Sequence, residues 1–511
     1  MSDAPARPPI FILGVPRSGT TLLRTILDSH SAIACGPETP WLAPHQPRSL
    51  GELWRFLRED PHGYCASFGM EPAAANRAAR AFADSLLGDY ARARGKARWA
   101  EKTPDNIRHL DFLLGVFPDA RWVYLVRDGL DVALSTSTIP PHRAGISEWL
   151  EKNLSLGWNI ATANTPFSAL LRWRHWSRMA ERSLRGVEHL RVGYERLVSE
   201  PEDTLRLVMD FVGEPFEPEM LRYAERPHDY PPWEWGSADV RERRGITKDR
   251  VGRARAELTG PELEALRTLL PPEPGSAPGP CAALASTRDI HDPPFGVLMA
   301  WLNAFAGPLN LQTFASWSKI WELPWLWFRA LSGTDLAGRH LVDIGGSLLP
   351  LPWIAALLGA RVTLVESDPQ HIPLWTRLRD RMGLDVQWHI TADEHTPLAD
   401  GEADIVLSVC TIARQNKPAA IAETARVLKA GGLFALSFDL CEPEMGMTFP
   451  RWNGQALTMA EFETLIWRHP AFGNTAPPAW NTADIAPFLD WHRGTAKHHN
   501  YIVGAAVLRK Q

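Results

Sequence analysis

Short apolar runs, each closed by a turn and followed by a helix-like stretch, recur along this chain. Pro9-Ile-Phe-Ile-Leu13 predicts a buried strand, Gly14 to Gly19 a turn and Thr20 to Ser29 a helix. Trp122-Val-Tyr-Leu-Val126 predicts a second buried strand after the Phe117-Pro-Asp-Ala turn. The pattern restarts late in the chain. His340-Leu-Val-Asp-Ile344 leads into Gly345-Gly346, an apolar helix and then Arg361-Val-Thr-Leu-Val365. Strands alternating with helices predict an α/β chain with parallel sheets in both halves.

Between these patterns lies Pro271-Pro-Glu-Pro-Gly-Ser-Ala-Pro-Gly-Pro280, continuing loosely to Asp292-Pro-Pro294. Such a run sustains neither a helix nor a central strand. It predicts two domains, 1–270 and 295–511, joined by a linker over 271–294. The length of 511 residues agrees, since a single core rarely grows past roughly 250–300 residues. A formal charge of −5 gives no electrostatic reason to expect nucleic acid as the partner. The start, Met-Ser-Asp-Ala-Pro, lacks the basic and apolar parts of a secretory signal, and the 5 cysteines form no CxxC pair. Both point to a cytoplasmic protein without disulfides or a metal site. The uncharged run Phe295 to Ser318 is interrupted by Asn303, Pro308, Asn310 and Gln312, so no membrane span is expected.

Gly14-Val-Pro-Arg-Ser-Gly-Thr-Thr21 has the outline of a phosphate loop between a strand and a helix. A nucleotide triphosphatase carries Lys where Thr20 stands. Here the cation is Arg17, inside the loop, which points away from magnesium-assisted γ-phosphate chemistry.

Five further segments follow in order: Cys35-Gly-Pro-Glu-Thr39, Glu101-Lys-Thr-Pro104, Val126-Arg-Asp-Gly-Leu-Asp-Val-Ala-Leu-Ser135, Gly193-Tyr-Glu-Arg-Leu-Val198 and Val251-Gly-Arg-Ala-Arg255. With the loop, this series resembles the PAPS-dependent sulfotransferases, especially the tyrosylprotein-sulfotransferase branch, whose fold is a P-loop-like parallel sheet. The resemblance implies that Arg17, Ser18, Gly19, Thr20 and Thr21 hold the 5′-phosphosulfate. It implies that Arg127 and Ser135 hold the 3′-phosphate, with Tyr194, Lys248 and Arg253 also at the nucleotide. Glu38 would be the general base that takes the acceptor's proton. Arg17 and Lys102 would stabilise the transferring group and the departing phosphate. Out of context these residues have plainer readings: Glu38 as solvated surface, Lys102 as a surface partner of Glu101, and Arg127-Asp128 as a charged turn.

The second half is similar to class I methyltransferases that use S-adenosylmethionine, with a Rossmann-like fold. The similarity rests on Leu341-Val-Asp-Ile-Gly-Gly-Ser347, Val365-Glu366, Ala392-Asp393, Ala403-Asp-Ile-Val-Leu407 and Val427-Leu-Lys-Ala-Gly-Gly-Leu433. It implies Asp343, Gly345, Gly346, Glu366 and Asp393 as the cofactor-binding set. The loop departs from the family's Asp-x-Gly-x-Gly pattern, having adjacent glycines, Ser347 and then Leu348-Leu-Pro-Leu-Pro352. Trp301, Trp317, Trp321, Trp325 and Trp327 form either core packing or the wall of an acceptor pocket. His492, His498 and His499 lack metal-ligand spacing.

Together the two resemblances imply a bifunctional enzyme: a sulfotransferase using PAPS on a small hydroxylated acceptor, fused to a methyltransferase using S-adenosylmethionine. The alternatives are a non-catalytic second domain, a peptide-tyrosine acceptor, a nucleotide kinase, and a non-enzymatic nucleotide-binding protein. The acceptors, the order of the two reactions and the oligomeric state are not written in the sequence.

Overall fold

The computed structural model describes residues 7–44, 49–138, 165–230, 240, 245–273, 278–315, 318–346, 348–391, 394–495 and 500–511. The chain divides into two compact α/β units: Met1–Ile160 with Arg172–Glu257, and Ala161–Leu171 with Leu258–Gln511.

Among the described residues the first unit carries a five-stranded sheet. Its strands are β1 (Ile10–Leu13), β2 (Ile33–Cys35), β3 (Arg98–Glu101), β4 (Arg121–Val126) and β5 (His189–Gly193), in the order β2-β3-β1-β4-β5. Every pairing is parallel. All of β1 is buried because both faces of the sheet are covered. Phe11 and Leu13 join one apolar cluster and Ile10 and Ile12 the other, following the two-residue alternation of a strand. On the first face Phe11 stacks on Trp122 with ring centres 4.7 Å apart. On the second, Leu22, Leu23, Ile26 and Leu27 of the helix Thr20–Asp28 supply the contacts. The chain reverses its direction of travel across the sheet at β1, so the carboxyl ends of β1, β3 and β4 frame a crevice.

Among the described residues the second unit holds a seven-stranded sheet. Its strands are β6 (Cys281–Leu284), β7 (His340–Ile344), β8 (Arg361–Glu366), β9 (Val386–Ile390), β10 (Ala403–Val409), β11 (Leu428–Leu440) and β12 (Ile502–Arg509), in the order β6-β12-β11-β10-β7-β8-β9. β7 to β11 are parallel, while β12 runs antiparallel to both β11 and β6. The chain switches sides at β7, which lies between β8 and β10.

The segment read as a linker over 271–294 contains structure. Cys281–Leu284 is the edge strand β6, Ser286 caps the short helix Thr287–Ile290, and Pro293 and Pro294 begin the helix Pro293–Ala306. Proline at a first helical turn loses no hydrogen bond, so the density of prolines marks a helix start there as well as a break. The boundary also shifts, from 270 to Glu257/Leu258. The helix Gly260–Arg267 packs against Pro293–Ala306, and Trp327 Nε1 donates to Thr268 Oγ1 at 2.7 Å. No helix among the described residues is long and apolar enough to cross a membrane.

Candidate functional site

The loop after β1 is shaped by close approaches. A Cβ on Gly14 would fall 2.8 Å from the Leu125 carbonyl oxygen, and one on Gly19 would fall 2.4 Å from the Tyr194 ring. Arg17 (φ 73°) and Gly19 (φ 94°) both take the left-handed conformation that turns the loop. Arg17 is not glycine, and its position there is a strained one of the kind that clusters at functional sites.

Residues just beyond neighbouring strands bring their side chains to this loop. Beyond β3, Lys102 is fully buried and donates to Thr21 Oγ1 at 3.3 Å and to Glu38 Oε1. Glu38 itself is 29% exposed, so it touches both solvent and the buried ammonium. Beyond β4, Arg127 donates to the Arg17 carbonyl at 2.9 Å and to the Arg250 carbonyl at 2.5 Å. Its guanidinium lies 4.6 Å from the centre of the Tyr194 ring. Arg17 Nε donates to Ser135 Oγ at 3.1 Å, bringing the helix Gly129–Ser137 to the loop. Two polar atoms here are buried without a hydrogen-bond partner among the described residues: Ser18 Oγ and Arg127 Nε. Buried polar groups are seldom left so, and both lie where an anion would satisfy them.

Arg17, Ser18, Thr20, Thr21, Glu38, Lys102, Arg127, Ser135 and Tyr194 are therefore gathered around one crevice. Two expected residues are not drawn into it: Lys248 is exposed, and Arg253 pairs with Glu257 at 2.6 Å. The sequence reading missed the parts that hold the site. Glu101 is not Lys102's surface partner. It is buried, and accepts from the Thr39 and Thr103 hydroxyls and from Asn106 Nδ2, which fixes the Glu38–Thr39 turn to β3. Burial pushes the Glu101 carboxyl up to about 7 against the pull of Thr103, Thr39 and Lys102. Asp131 accepts from Gly252 N at 2.7 Å and Ala254 N at 2.9 Å, tying the late segment to the helix after β4. The threonines flanking Glu38 and Lys102 were the available signal for the first of these.

In the second unit, Asp343, the penultimate residue of β7, is almost fully buried, and a Cβ on Gly346 would clash with its Oδ2. Gly345 has φ 69°, and its N–H donates to the Val365 carbonyl at 2.9 Å. Both glycines are thus required by local geometry. Gly345, Gly346 and Glu366 line a cavity of about 340 Å³ at the carboxyl edge of the sheet. Asp393, Ser347, Trp317, His498 and His499 lie outside the described residues. Trp301, Trp321, Trp325 and Trp327 are buried and do not line the cavity, as core packing requires. His492 is buried too, and burial lowers it to about 4.

Residues 8–218 match the sulfotransferase family, and residues 342–436 match a methyltransferase domain. The first unit carries a sulfotransferase-family domain; the second carries a methyltransferase domain. The protein-tyrosine sulfotransferase of Drosophila melanogaster is 26% identical over 223 residues, covering 43% of this chain and 40% of the fly protein. Protein-tyrosine sulfotransferase 1 of Danio rerio is 29% identical, covering 43% of this chain and 56% of the fish protein. Nodulation protein NoeE of Sinorhizobium fredii is 27% identical over 286 residues, covering 51% of this chain and 63% of that protein. The chain thus spans only about half the length of these relatives, and they match about half of it.

Proposed function

We propose that the sulfotransferase domain transfers a sulfuryl group from PAPS to the hydroxyl of a small-molecule acceptor, and that the methyltransferase domain uses S-adenosylmethionine. The observation that carries the first part is the pairing of Glu38 with the buried Lys102 beneath a loop whose Ser18 Oγ and Arg127 Nε lack partners. PAPS, when bound, supplies the sulfuryl group and two anionic ends. Arg17, Ser18, Gly19, Thr20 and Thr21 would hold the 5′ end; Arg127 and Ser135, with Tyr194 beside them, would hold the 3′-phosphate. Lys248 and Arg253 would reach the nucleotide only by leaving their present positions.

Glu38 would take the acceptor's proton; that it alone of the pair reaches solvent supports the reading. Lys102, paired with Glu38, offers positive charge where negative charge builds on the leaving oxygens. In the methyltransferase domain Asp343, Gly345, Gly346 and Glu366, with Asp393, would hold S-adenosylmethionine, and the tight Gly346–Asp343 approach supports that cradle. A peptide tyrosine is the second acceptor class, favoured by the names of the fly and fish relatives. Two modifying domains on one chain favour a shared small-molecule scaffold instead.

Calorimetric titration with the product nucleotides PAP and S-adenosylhomocysteine tests both halves. Wild type is expected to bind each, and Arg127→Ala to lose PAP while retaining S-adenosylhomocysteine. Wild type that ignores PAP would overturn the sulfotransferase reading.

A further inference from the structure

The cavity of the methyltransferase domain is lined from five neighbouring strands. Glu366 ends β8, Gly345 follows β7, Cys410 follows β10, Asp439 lies near the end of β11 and Tyr501 precedes β12. Three strand spacings separate β8 from β11, so the two sides of the cavity are roughly 14 Å apart. The β7–β8 side carries the residues read above as the donor site. The β10–β11 side carries a cluster that reading does not use.

Two carboxylates belong to this cluster, and their surroundings differ. Glu322, on the helix Lys319–Leu326, is fully buried, with Lys319 Nζ 2.9 Å from each of its oxygens. Cys410 Sγ donates to it at 3.0 Å, as does the Ser437 hydroxyl. Burial alone would raise its pKa, but Lys319 and these donors pull it below the ordinary carboxylate value. Asp439 is 4% exposed and lines the cavity, yet its carboxylate receives only Cys410 Sγ, at 3.8 Å, among the described residues. Burial and the Glu322 charge push it up to about 7, against Lys319, Cys410 and Arg414. Among the described residues, those four groups and Tyr501 are the titratable and charged side chains acting on it. A pair of acids driven apart in this way separates a fixed charge from a proton acceptor.

Cys410 is not the nucleophile: burial and both carboxylates hold its thiol protonated, so it donates. Its backbone, at φ 54°, is strained into the left-handed region, and that places the thiol beside both acids.

We propose that Asp439 is the proton-accepting catalytic residue of the methyltransferase domain, serving a phenolic hydroxyl bound at the β10–β11 side of the cavity. The proposal rests on reading this domain as a user of S-adenosylmethionine. The phenol O–H bond breaks with its proton passing to an Asp439 carboxylate oxygen. The oxygen lone pair forms the bond to the methyl carbon as the carbon–sulfur bond breaks, its electron pair staying on sulfur. Lys319 and Arg414, both lining the cavity, offset the phenolate charge, and Lys319–Glu322 is a positioning pair. A phenol suits this base because its acidity lies within a few units of neutrality, unlike that of an alkyl alcohol.

The test uses the full chain. S-adenosylhomocysteine is titrated into wild type and Asp439→Asn, and both are expected to bind it alike. If wild type does not bind it, the reading of the domain fails before Asp439 is tested. Carboxyl NMR of aspartate-labelled protein with S-adenosylhomocysteine bound should show one buried aspartate titrating near neutral pH, absent in Asp439→Asn. Should that variant not fold, Arg414→Gln, at an exposed side chain, should move the same titration upward. Methyl transfer to phenol, catechol and 4-nitrophenol should fall about 10²-fold or more in Asp439→Asn for the two weaker acids. It should fall least for 4-nitrophenol, the strongest acid of the three, much of which arrives already ionised near neutral pH. Binding of S-adenosylhomocysteine with no neutral-range aspartate, no methylation of any of the three phenols, or equal losses across them would overturn the proposal.

Discussion

Most side chains at the sulfotransferase crevice sit within a few residues of a strand end or helix start: Arg17 and Ser18 after β1, Lys102 after β3, Arg127 after β4. The methyltransferase cavity is assembled otherwise. Lys319 and Glu322 come from a helix ahead of the parallel strands, Cys410 from a strained turn after β10, and Asp439 from within β11. The buried charged groups differ too, although Glu101 and Asp131 are buried acids that hold the first site's framework. Lys102 and Arg127 bring buried cations to the first site, whereas Glu322 and Asp439 bring buried acids to the second. Anion sites must collect donors, and a loop, two strand ends and a helix start provide them within short segments. A buried acid such as Asp439, by contrast, requires partners from distant parts of the chain.

The strongest way to separate the two sites is Glu38→Gln. Sulfuryl transfer is expected to fall by about 10²–10³-fold, with PAP affinity and methyl transfer unchanged, because only the proton acceptor of the first site is lost. Single-turnover transfer from labelled PAPS reads the first quantity and calorimetry the second. Undiminished transfer would remove Glu38 from the chemistry and leave it a partner of Lys102.

A smaller effect exposes what the sites share. Glu101 rises to about 7 from an ordinary 4.5, and Asp439 to about 7 from 3.8. Each folded unit therefore keeps a proton that the unfolded chain has already released. That contribution to stability is fully present below the unfolded value and is lost as pH rises through about 7, on the order of 3–4 kcal/mol in each unit. Denaturant unfolding followed from about pH 4.5 to about pH 8 should show that decline. Glu101→Gln should flatten it in the first unit alone and Asp439→Asn in the second alone. A decline that neither substitution alters would place the proton elsewhere.

The same contrast explains what was legible in the sequence. β1, β4, β7 and β8 were readable because each is a short apolar run closed by a turn, and the phosphate loop because its residues are contiguous. β2, with three residues, and β6, within a proline-rich tract, carry too little pattern to stand out. β12 was hidden for another reason: its partners are β11 and the distant β6, and nothing local announces that pairing. Glu101 and Asp439 look unremarkable in sequence because their properties arise from burial. Arg253 shows the converse: its segment resembles the family, yet a glutamate four residues on has taken its guanidinium.

The boundary between the units gives the finest test of the comparison. Proline density placed it after 270, whereas contacts place it at Glu257/Leu258. Thr259 is the deciding residue. Its hydroxyl accepts from Glu262 N, and Glu262 answers by accepting from Thr259 N, a capping box that starts the helix Gly260–Arg267. Thr259→Ala should cost about 1 kcal/mol. If the helix belongs to the methyltransferase-bearing unit, that loss lowers only the unfolding transition that S-adenosylhomocysteine raises. The transition raised by PAP should stay where it is. Scanning calorimetry with each ligand in turn distinguishes the two. A shift in the PAP-sensitive transition would return residues 258–270 to the first unit and restore the boundary that the prolines suggested.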